Sequence, residues 1–209
     1  MRFVDRQDAA AQLADALGHY RGQRALVLAL PRGGVPLGRV LADALQADLD
    51  VVLVRKLGAP GDPEFALGAV AEDGWTYLAP YAEPTAGSAY LEHVRAEELE
   101  RIRQRRARYT PGRAAAPSAA GRVAIVVDDG LATGATMIAA LHAVRAQAPA
   151  RLVCAVPVAA PDGLREVQAY ADEVVCLYAP AGFQAVGHHY LSFPQVSDEE
   201  VVDCLAGRA

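Results

Sequence analysis

The chain has no apolar run long enough to span a bilayer, although 53% of its 209 residues are hydrophobic. Its start, Met1–Asp8, lacks the apolar core of a secretion signal. Cysteine is scarce as well: there are three, widely spaced, and Cys154 and Cys176 lie in apolar runs. That placement favours packing in a core over a disulfide framework or a metal site. Together these absences predict a protein of the reducing cytoplasm, without a membrane segment.

Net positive charge is also missing. The chain carries 20 Lys and Arg against 25 Asp and Glu, a net charge of −5, which argues against general affinity for nucleic acid. The arginine-rich stretch Glu97–Arg108 is predicted to be a helix with ion pairs between Glu97 and Arg101 and between Glu100 and Arg103. A solvated helix face is the simple interpretation of this stretch, and a nucleic-acid surface is the alternative.

Two common phosphate-binding motifs are absent. The segment Gly33–Val40 has glycines at Walker-type spacing but lacks the Lys-Ser/Thr ending, and no Gly-x-Gly-x-x-Gly occurs in the chain. A phosphate site in this protein therefore has to be built from other residues.

Strands and helices alternate along most of the chain, and this pattern predicts an α/β fold with a mainly parallel, twisted sheet flanked by helices. A length of 209 residues fits a single domain over residues 1–209, with residues 178–209 as a small tail. Apolar periodicity places the helices at Gln7–Tyr20, Val35–Gln46, Ser88–Arg108, Met137–Gln147 and Asp162–Tyr170. Apolar runs place the strands at Arg24–Leu30, Val51–Lys56, Val123–Val127, Arg151–Val158 and Glu173–Leu177, with Phe65–Val70 and Trp75–Leu78 as an antiparallel pair.

One stretch combines a buried strand, two acids and a hydroxyl-rich loop. Val123–Val127 is an apolar run, and Asp128 and Asp129 follow it at the carboxyl edge, where open α/β sheets bind ligands. Thr133–Thr136 then leads into the helix Met137–Gln147, and a glycine with hydroxyls at a helix start suits a phosphate. A phosphate repels carboxylates, so the acids must address sugar hydroxyls or a divalent cation. The combination indicates a sugar phosphate.

The segment Val126–Thr136 resembles the phosphoribosyl-pyrophosphate (PRPP) signature of type I phosphoribosyltransferases. The resemblance implies that Asp128 and Asp129 hold the ribose 2′- and 3′-hydroxyls and that a Rossmann-like fold carries them. It further implies that the 5′-phosphate is cradled by Ala132, Thr133, Gly134, Ala135 and Thr136. An Asp-Asp turn followed by a Thr helix cap is the plain alternative.

The loop Leu30–Gly34 follows the first strand and combines a cation with two glycines. Glycines allow an anion to approach the backbone closely, and the Arg32 guanidinium suits phosphate oxygens. The position resembles the pyrophosphate-binding loop of the same family, which often carries a non-proline cis peptide. By that resemblance the cis bond would be Arg32–Gly33. An ordinary glycine-rich turn between strand and helix is the alternative.

Arg55 and Lys56 are predicted to end the second strand at the ligand edge, where two cations could neutralise a departing pyrophosphate. The following stretch, Leu57–Phe65, is rich in Gly and Pro and sits where the family has a flexible loop that closes over the reaction. An ordinary surface loop is the alternative.

The tail segment Ala181–Tyr190 resembles the hood of hypoxanthine-guanine phosphoribosyltransferases. The resemblance implies that Phe183 stacks on a flat base and that the backbone of Val186 and Gly187 contacts the base edge. Phenylalanine is more often a core residue, so a packing role for Phe183 is the alternative. His188 and His189 are adjacent and would point to opposite sides of a strand, which favours a surface or supporting role over metal binding.

Three departures leave the acceptor open. Oxopurine enzymes have an acid three residues after the paired acids, where this chain has Ala132, and a lysine in the next strand, where Ala155–Ala159 has none. Leu131–Gly134 matches uracil phosphoribosyltransferases equally well, but those enzymes have proline as the second member of the acid pair. The resemblance therefore implies transfer from PRPP to a nitrogen acceptor, most simply a nucleobase. The expected cofactor is Mg²⁺ held mainly by PRPP. The expected assembly is a homodimer. The alternative function is that of a PRPP-responsive regulator with little turnover.

Overall fold

The structure is a computed structural model, and it describes residues 3–112 and 116–208 apart from the side chain of Glu64. Residues 113–115, which belong to the predicted loop 111–121, lie outside the described residues, as do both ends of the chain. Within the described part, no helix is long and apolar enough to cross a membrane.

A five-stranded parallel sheet forms the centre of the fold, in the order β2-β1-β6-β7-β8. Its strands are β1 (Leu26–Ala29), β2 (Asp48–Val51), β6 (Val123–Val127), β7 (Arg151–Val158) and β8 (Glu173–Tyr178). A second sheet of three antiparallel strands is made of β3 (Val54–Ala59), β4 (Asp62–Ala71) and β5 (Thr76–Leu78). The prediction of an α/β fold with a mainly parallel sheet is confirmed.

Helices cover both faces of the parallel sheet because alternate strand residues point to opposite sides. Val27 belongs to one hydrophobic cluster, while its neighbours Leu26 and Leu28 belong to the other. The helices are α1 (Arg6–Ala16), α2 (Gly34–Leu45), α3 (Ala82–Ala86), α4 (Ser88–Tyr109), α5 (Ala135–Arg145), α6 (Pro161–Val167) and α7 (Asp198–Leu205).

The predicted second strand, Val51–Lys56, is wrong as a single element. Asp48–Val51 pairs with β1 in the parallel sheet, whereas Val54–Ala59 leaves that sheet and pairs with β4. Val52 and Leu53 between them are buried, so one apolar run continues through two strands that belong to different sheets. Hydrophobicity alone could not locate the break.

Helix α7 was not predicted from the sequence, although it carries a local start signal. The Ser197 hydroxyl accepts a hydrogen bond from the Glu200 N–H at 3.1 Å, and the Glu200 carboxylate accepts one from the Ser197 N–H at 2.7 Å. This reciprocal pair is a capping box. The helix contacts α2 and α4, so the end of the tail packs on the main body. The division into one domain with a tail from residue 178 stays a prediction.

Candidate functional site

Strands β1 and β6 are parallel neighbours, so the loops that follow them meet at the same edge of the sheet. The Asp129 carboxylate packs directly on Gly33: a Cβ added there would lie 2.0 Å from Asp129 Oδ2. Only a glycine leaves room for this contact. The structure therefore brings together the predicted pyrophosphate loop and the predicted ribose acids.

The cis peptide is Pro31–Arg32, one bond before the expected Arg32–Gly33. Gly33 already has helical dihedral angles, φ −60° and ψ −34°, as the N-cap of α2. The Arg32 side chain, about a third exposed, has one guanidinium nitrogen 4.0 Å from Asp198 Oδ1 at the start of α7. Arg32 thus lies near an acid of α7 as well as in the predicted pyrophosphate loop.

The predicted 5′-phosphate loop opens helix α5. Gly134 is the N-cap of this helix with φ +84°, a conformation that favours glycine. Ala132, Thr133, Ala135 and Thr136 are exposed around it. The first N–H groups of a helix have no partner within the helix and carry the positive end of its dipole, so this loop can receive a phosphate.

A close contact that sequence reasoning missed supports the phosphate loop from below. A Cβ added to Gly163 of α6 would lie 2.2 Å from the Ala132 carbonyl oxygen and 3.1 Å from the Thr133 carbonyl carbon. The absence of a side chain at Gly163 lets α6 contact the loop backbone directly. A single glycine within a short helix carries no signal of this role in the sequence.

The paired acids lie in a crowded, partly buried setting. Burial and the adjacent Asp129 carboxylate raise the pKa of Asp128 well above its usual range. The Asp128 carboxylate accepts a hydrogen bond from the Asp129 N–H at 2.9 Å, which works in the opposite direction but does not outweigh burial. Burial also raises the pKa of Asp129, against the opposing charge of Arg6.

Arg6 is the partner of Asp129, and sequence reasoning did not find it. Its Nε donates to Asp129 Oδ2 at 2.9 Å, and its Nη2 lies 2.8 Å from the same oxygen. Both side chains are nearly buried, with exposed fractions of 11% for Arg6 and 13% for Asp129. The Tyr190 hydroxyl donates to the Asp129 carbonyl oxygen at 2.5 Å. The second acid is therefore fixed from both ends of the chain.

The sequence predicted that Lys56 ends a strand at the ligand edge, and this prediction is wrong. Lys56 lies inside β3, exposed, and is paired in register with Ala69 of β4. Its neighbour Arg55 is bound to the buried Glu98 of α4 at 2.6 Å and so holds the antiparallel sheet to that helix. Of the two expected cations, Arg55 therefore has a structural role and Lys56 is exposed.

The predicted flexible loop Leu57–Phe65 is largely a β-hairpin. β3 continues to Ala59, and β4 begins at Asp62 after a turn that contains Gly61 with φ +77°. The glycines and prolines that suggested a mobile loop mark this turn and the bulge beside Gly58. The sheet contacts α5, where Trp75 stacks on His142 with ring centroids 4.9 Å apart.

The tail reaches the acid pair through Val186. A Cβ added to Gly130 would lie 2.4 Å from Val186 Cγ1, so the segment after the acids packs against the predicted hood. Phe183 is partly buried and stacks on His189, with centroids 5.4 Å apart and planes at 17°. One face of Phe183 is therefore already covered by the protein.

Comparisons with known proteins identify the family of this chain. Residues 5–191 match the family model described as the phosphoribosyl transferase domain. The chain belongs to this family. Its similarity to a Thermus thermophilus protein with a crystal structure covers the whole of both chains, at 49% identity and a TM-score of 0.88.

Two curated relatives come from Mycobacterium tuberculosis strains and carry a provisional name as phosphoribosyl transferases. Each is 46% identical over 207 residues, which is 97% of this chain but 46% of the relative. The chain thus spans about half the length of these relatives. A uracil phosphoribosyltransferase from Acinetobacter baylyi is 34% identical over 82 residues, which is 39% of this chain and 38% of that protein.

The raised pKa of Asp128 predicts a pH-dependent cost to stability. A carboxyl group whose pKa is raised by folding does not lower the free energy of unfolding while it is protonated in both the folded and the unfolded state. It lowers that free energy most once the pH exceeds its pKa in the folded protein. We therefore expect Asp128→Asn to raise the melting temperature at about pH 8 and to change it little near pH 4. The asparagine oxygen can still accept the Asp129 N–H, so that hydrogen bond is kept.

Asp172 is the matched control for this measurement. Bonds from Arg145 and from the Leu152 N–H lower its pKa, so Asp172→Asn should have the opposite sign and destabilise the protein above the ordinary carboxyl range. Melting curves of both variants across this pH range test the pair. A gain for Asp128→Asn that did not grow with pH would contradict the ionisation argument.

Proposed function

We propose that this member of the family is a phosphoribosyltransferase that moves ribose 5-phosphate from PRPP to a nitrogen acceptor and releases pyrophosphate. The observation that carries the proposal is the contact between the Asp129 carboxylate and Gly33. It brings a hydroxyl-binding group against an anion-binding loop, at the sheet edge from which the phosphate loop Ala132–Thr136 also emerges. A sugar with a phosphate on one side and a pyrophosphate on the other fits these three elements.

In this mechanism, Asp128 and Asp129 accept hydrogen bonds from the ribose hydroxyls, and Thr133–Thr136 holds the 5′-phosphate. The bond from C1′ to pyrophosphate breaks with its electron pair leaving on oxygen, while the acceptor nitrogen forms the new bond to C1′ and gives up a proton. Arg32 and Gly33 are assigned to the departing pyrophosphate, and Lys56 joins them only when the antiparallel sheet moves toward it. Most of the rate enhancement then comes from positioning and from stabilising separated charge.

Magnesium fits this site as an ion carried by the substrate. When bound, it would offset the negative charge of the pyrophosphate group. Within the described residues, no group of three or more His, Cys, Asp or Glu side chains could hold a metal. Asp129 is moreover engaged by Arg6, so PRPP itself is assigned most of the ligands.

For the acceptor we propose a flat, nucleobase-like ring bound beside Val186. The contact between Val186 and Gly130 brings the tail next to the acid pair, and backbone groups of Val186 and Gly187 can pair with a ring edge. Phe183 can stack on a ring only through the face that His189 leaves open. Action in the cytoplasm as a homodimer belongs to the same proposal.

Pyrophosphate release from PRPP and Mg²⁺ across a panel of bases tests the proposal. The panel contains adenine, hypoxanthine, guanine, xanthine, uracil and orotate, with uracil given weight by the local similarity to the Acinetobacter enzyme. We expect turnover of one base and weak or no turnover of oxopurines, because Ala132 replaces the acid that would exchange a proton with them. Rapid turnover of hypoxanthine or guanine would defeat this argument.

A PRPP-responsive regulator is the second candidate. The observation that favours it is the same exposed Ala132, because the proposed phosphate loop has no acid at this position for proton transfer. Tight PRPP binding together with no pyrophosphate release across the panel would support the regulator.

A further inference from the structure

The nearly buried guanidinium of Arg6 is held by several protein partners. Besides the two contacts to Asp129 Oδ2, its Nη1 donates to the Pro194 carbonyl oxygen at 2.7 Å. Its central carbon lies 3.8 Å from the centre of the Phe193 ring. A guanidinium fixed by charge, hydrogen bonds and an aromatic face has little freedom to turn.

Arg6 leaves one carboxylate oxygen of Asp129 for another partner. Both arginine contacts fall on Oδ2. Both oxygens lie beside Gly33, and Oδ2 is the nearer: a Cβ added to Gly33 would be 2.0 Å from Oδ2 and 2.9 Å from Oδ1. Asp129 is therefore an acceptor whose arginine-bound oxygen packs on the predicted pyrophosphate loop, while Oδ1 makes neither arginine contact.

The N-terminal segment is tied to the tail next to this contact. The Phe3 N–H donates to the His189 carbonyl oxygen at 2.8 Å, and the Leu191 N–H donates to the Phe3 carbonyl oxygen at 2.8 Å. Phe3 is fully buried and packs on Tyr190, whose hydroxyl reaches Asp129. The start of α1 and the tail thus form one support around the second acid.

We infer that Arg6 is a positioning residue of the ribose site, which holds Asp129 through Oδ2 and keeps Oδ1 available for a ribose hydroxyl. The inference rests on the proposed function. When both carboxylates are ionised, Arg6 also changes the summed charge of the two acids and the guanidinium from −2 to −1. The groups that face Asp129 are Arg6 from α1, Asp128 from the end of β6, and Tyr190 from the tail.

The first test needs no ligand. Carboxyl ¹³C titration by NMR, assigned with Asp129→Asn, follows Asp129 in the wild-type protein, in Arg6→Gln and in Arg6→Lys. We expect the pKa of Asp129 to rise in Arg6→Gln and to stay near the wild-type value in Arg6→Lys, since lysine keeps the charge. An unchanged titration in Arg6→Gln would overturn the inference.

The second test separates ribose binding from phosphate binding. We expect Arg6→Gln to weaken the binding of ribose 5-phosphate about ten- to a hundredfold in calorimetry, because Asp129 is then no longer held as a charged acceptor for the ribose hydroxyl. The affinity for pyrophosphate, which has no ribose, should change less than about threefold. Arg6→Lys should recover only part of the affinity, because an ammonium cannot reproduce the planar fork that spans Asp129 and Pro194.

Two other arginines provide controls. Arg165→Gln removes an exposed arginine that pairs with Asp162, and Arg106→Gln breaks a partly buried pair with Asp50 and Glu72. Neither partner set includes the paired acids, so Arg106→Gln reports what destabilisation alone does to binding.

Each remaining outcome decides a separate point. An equal loss of affinity for ribose 5-phosphate and for pyrophosphate in Arg6→Gln would show that Arg6 has only a structural role. Tighter binding of ribose 5-phosphate in this variant would show that Arg6 competes with the sugar. Either result would overturn the inference. A wild-type protein that binds pyrophosphate but neither PRPP nor ribose 5-phosphate would refute the proposed function instead. The carboxyl titration would still decide whether Arg6 controls Asp129.

Discussion

Replacing both acids, Asp128→Asn with Asp129→Asn, is expected to weaken PRPP binding by at least about a hundredfold. A hydrogen bond to a charged acceptor contributes about 1.5–3 kcal/mol, and the double variant converts two such acceptors to neutral amides. The two positions touch, so their separate effects are not expected to add. Titration calorimetry with Mg²⁺ and PRPP measures the loss directly.

A matched double variant isolates the site from the change in net charge. Asp48→Asn with Asp203→Asn removes the same two charges from exposed positions that pair with Arg122 and Arg208. This control should bind PRPP within about twofold of the wild-type protein, because screening weakens charges that lie far from the ligand. Wild-type affinity in the acid-pair variant would remove both residues from the site.

The acid pair shows why part of this site could be predicted from the sequence. Val123–Val127 is an apolar run whose residues alternate between two buried clusters, so a parallel strand at this position followed from composition. Asp128 and Asp129 had to emerge at its carboxyl end, and the phosphate loop had to follow within a few residues. All of these relations are local in the chain. The family assignment rests on them too, and the comparison confirms it.

The relations that were missed connect distant parts of the chain. Arg6 meets Asp129 across 123 positions, and Tyr190 meets it across 61. No periodicity or spacing links residues so far apart before the sheet order is known. Prediction of the ion pairs on α4 failed in part for a different reason: Arg101 binds the buried Glu98 rather than Glu97, and Glu97 pairs with His93. Glu97 and Glu98 are both within helical pairing distance of Arg101 in the sequence, and Arg101 pairs with the one that is buried.

The antiparallel sheet changes the interpretation of the predicted lid. A glycine- and proline-rich segment after a strand suits both a mobile loop and a tight hairpin, and the sequence does not distinguish them. In the structure the hairpin is held by Arg55 to α4 and by Trp75 to α5. A movement that brought Lys56 toward a bound pyrophosphate would therefore involve the sheet as a unit. The role of Lys56 stays a prediction.

Steric tests of the phosphate loop have to respect its backbone. Gly134→Val would place a branched side chain at φ +84° and against Val167 and Gly163, so it would strain the loop as well as block a ligand. Gly134→Val is therefore expected to disturb the fold of the loop, and its effect on binding could not be assigned to steric blocking alone. Gly163 offers a better position, because it supports the loop from outside the ligand site.

Gly163→Ala is therefore expected to lower the affinity for ribose 5-phosphate strongly, by about tenfold or more. The added methyl group would lie 2.2 Å from the Ala132 carbonyl oxygen and 2.8 Å from Leu131 Cδ2, so the loop backbone must move away from α6. Overpacking of this kind typically costs about 1–3 kcal/mol, which also predicts a lower melting temperature.

Gly18→Ala is the control, since a Cβ there meets nothing within 4 Å. Calorimetry with ribose 5-phosphate and with pyrophosphate then locates the damage: the first ligand should weaken and the second should bind almost normally, because its loop at Gly33 belongs to a different strand. A folded Gly163→Ala protein with wild-type affinity for ribose 5-phosphate would show that Ala132–Thr136 is not the phosphate cradle.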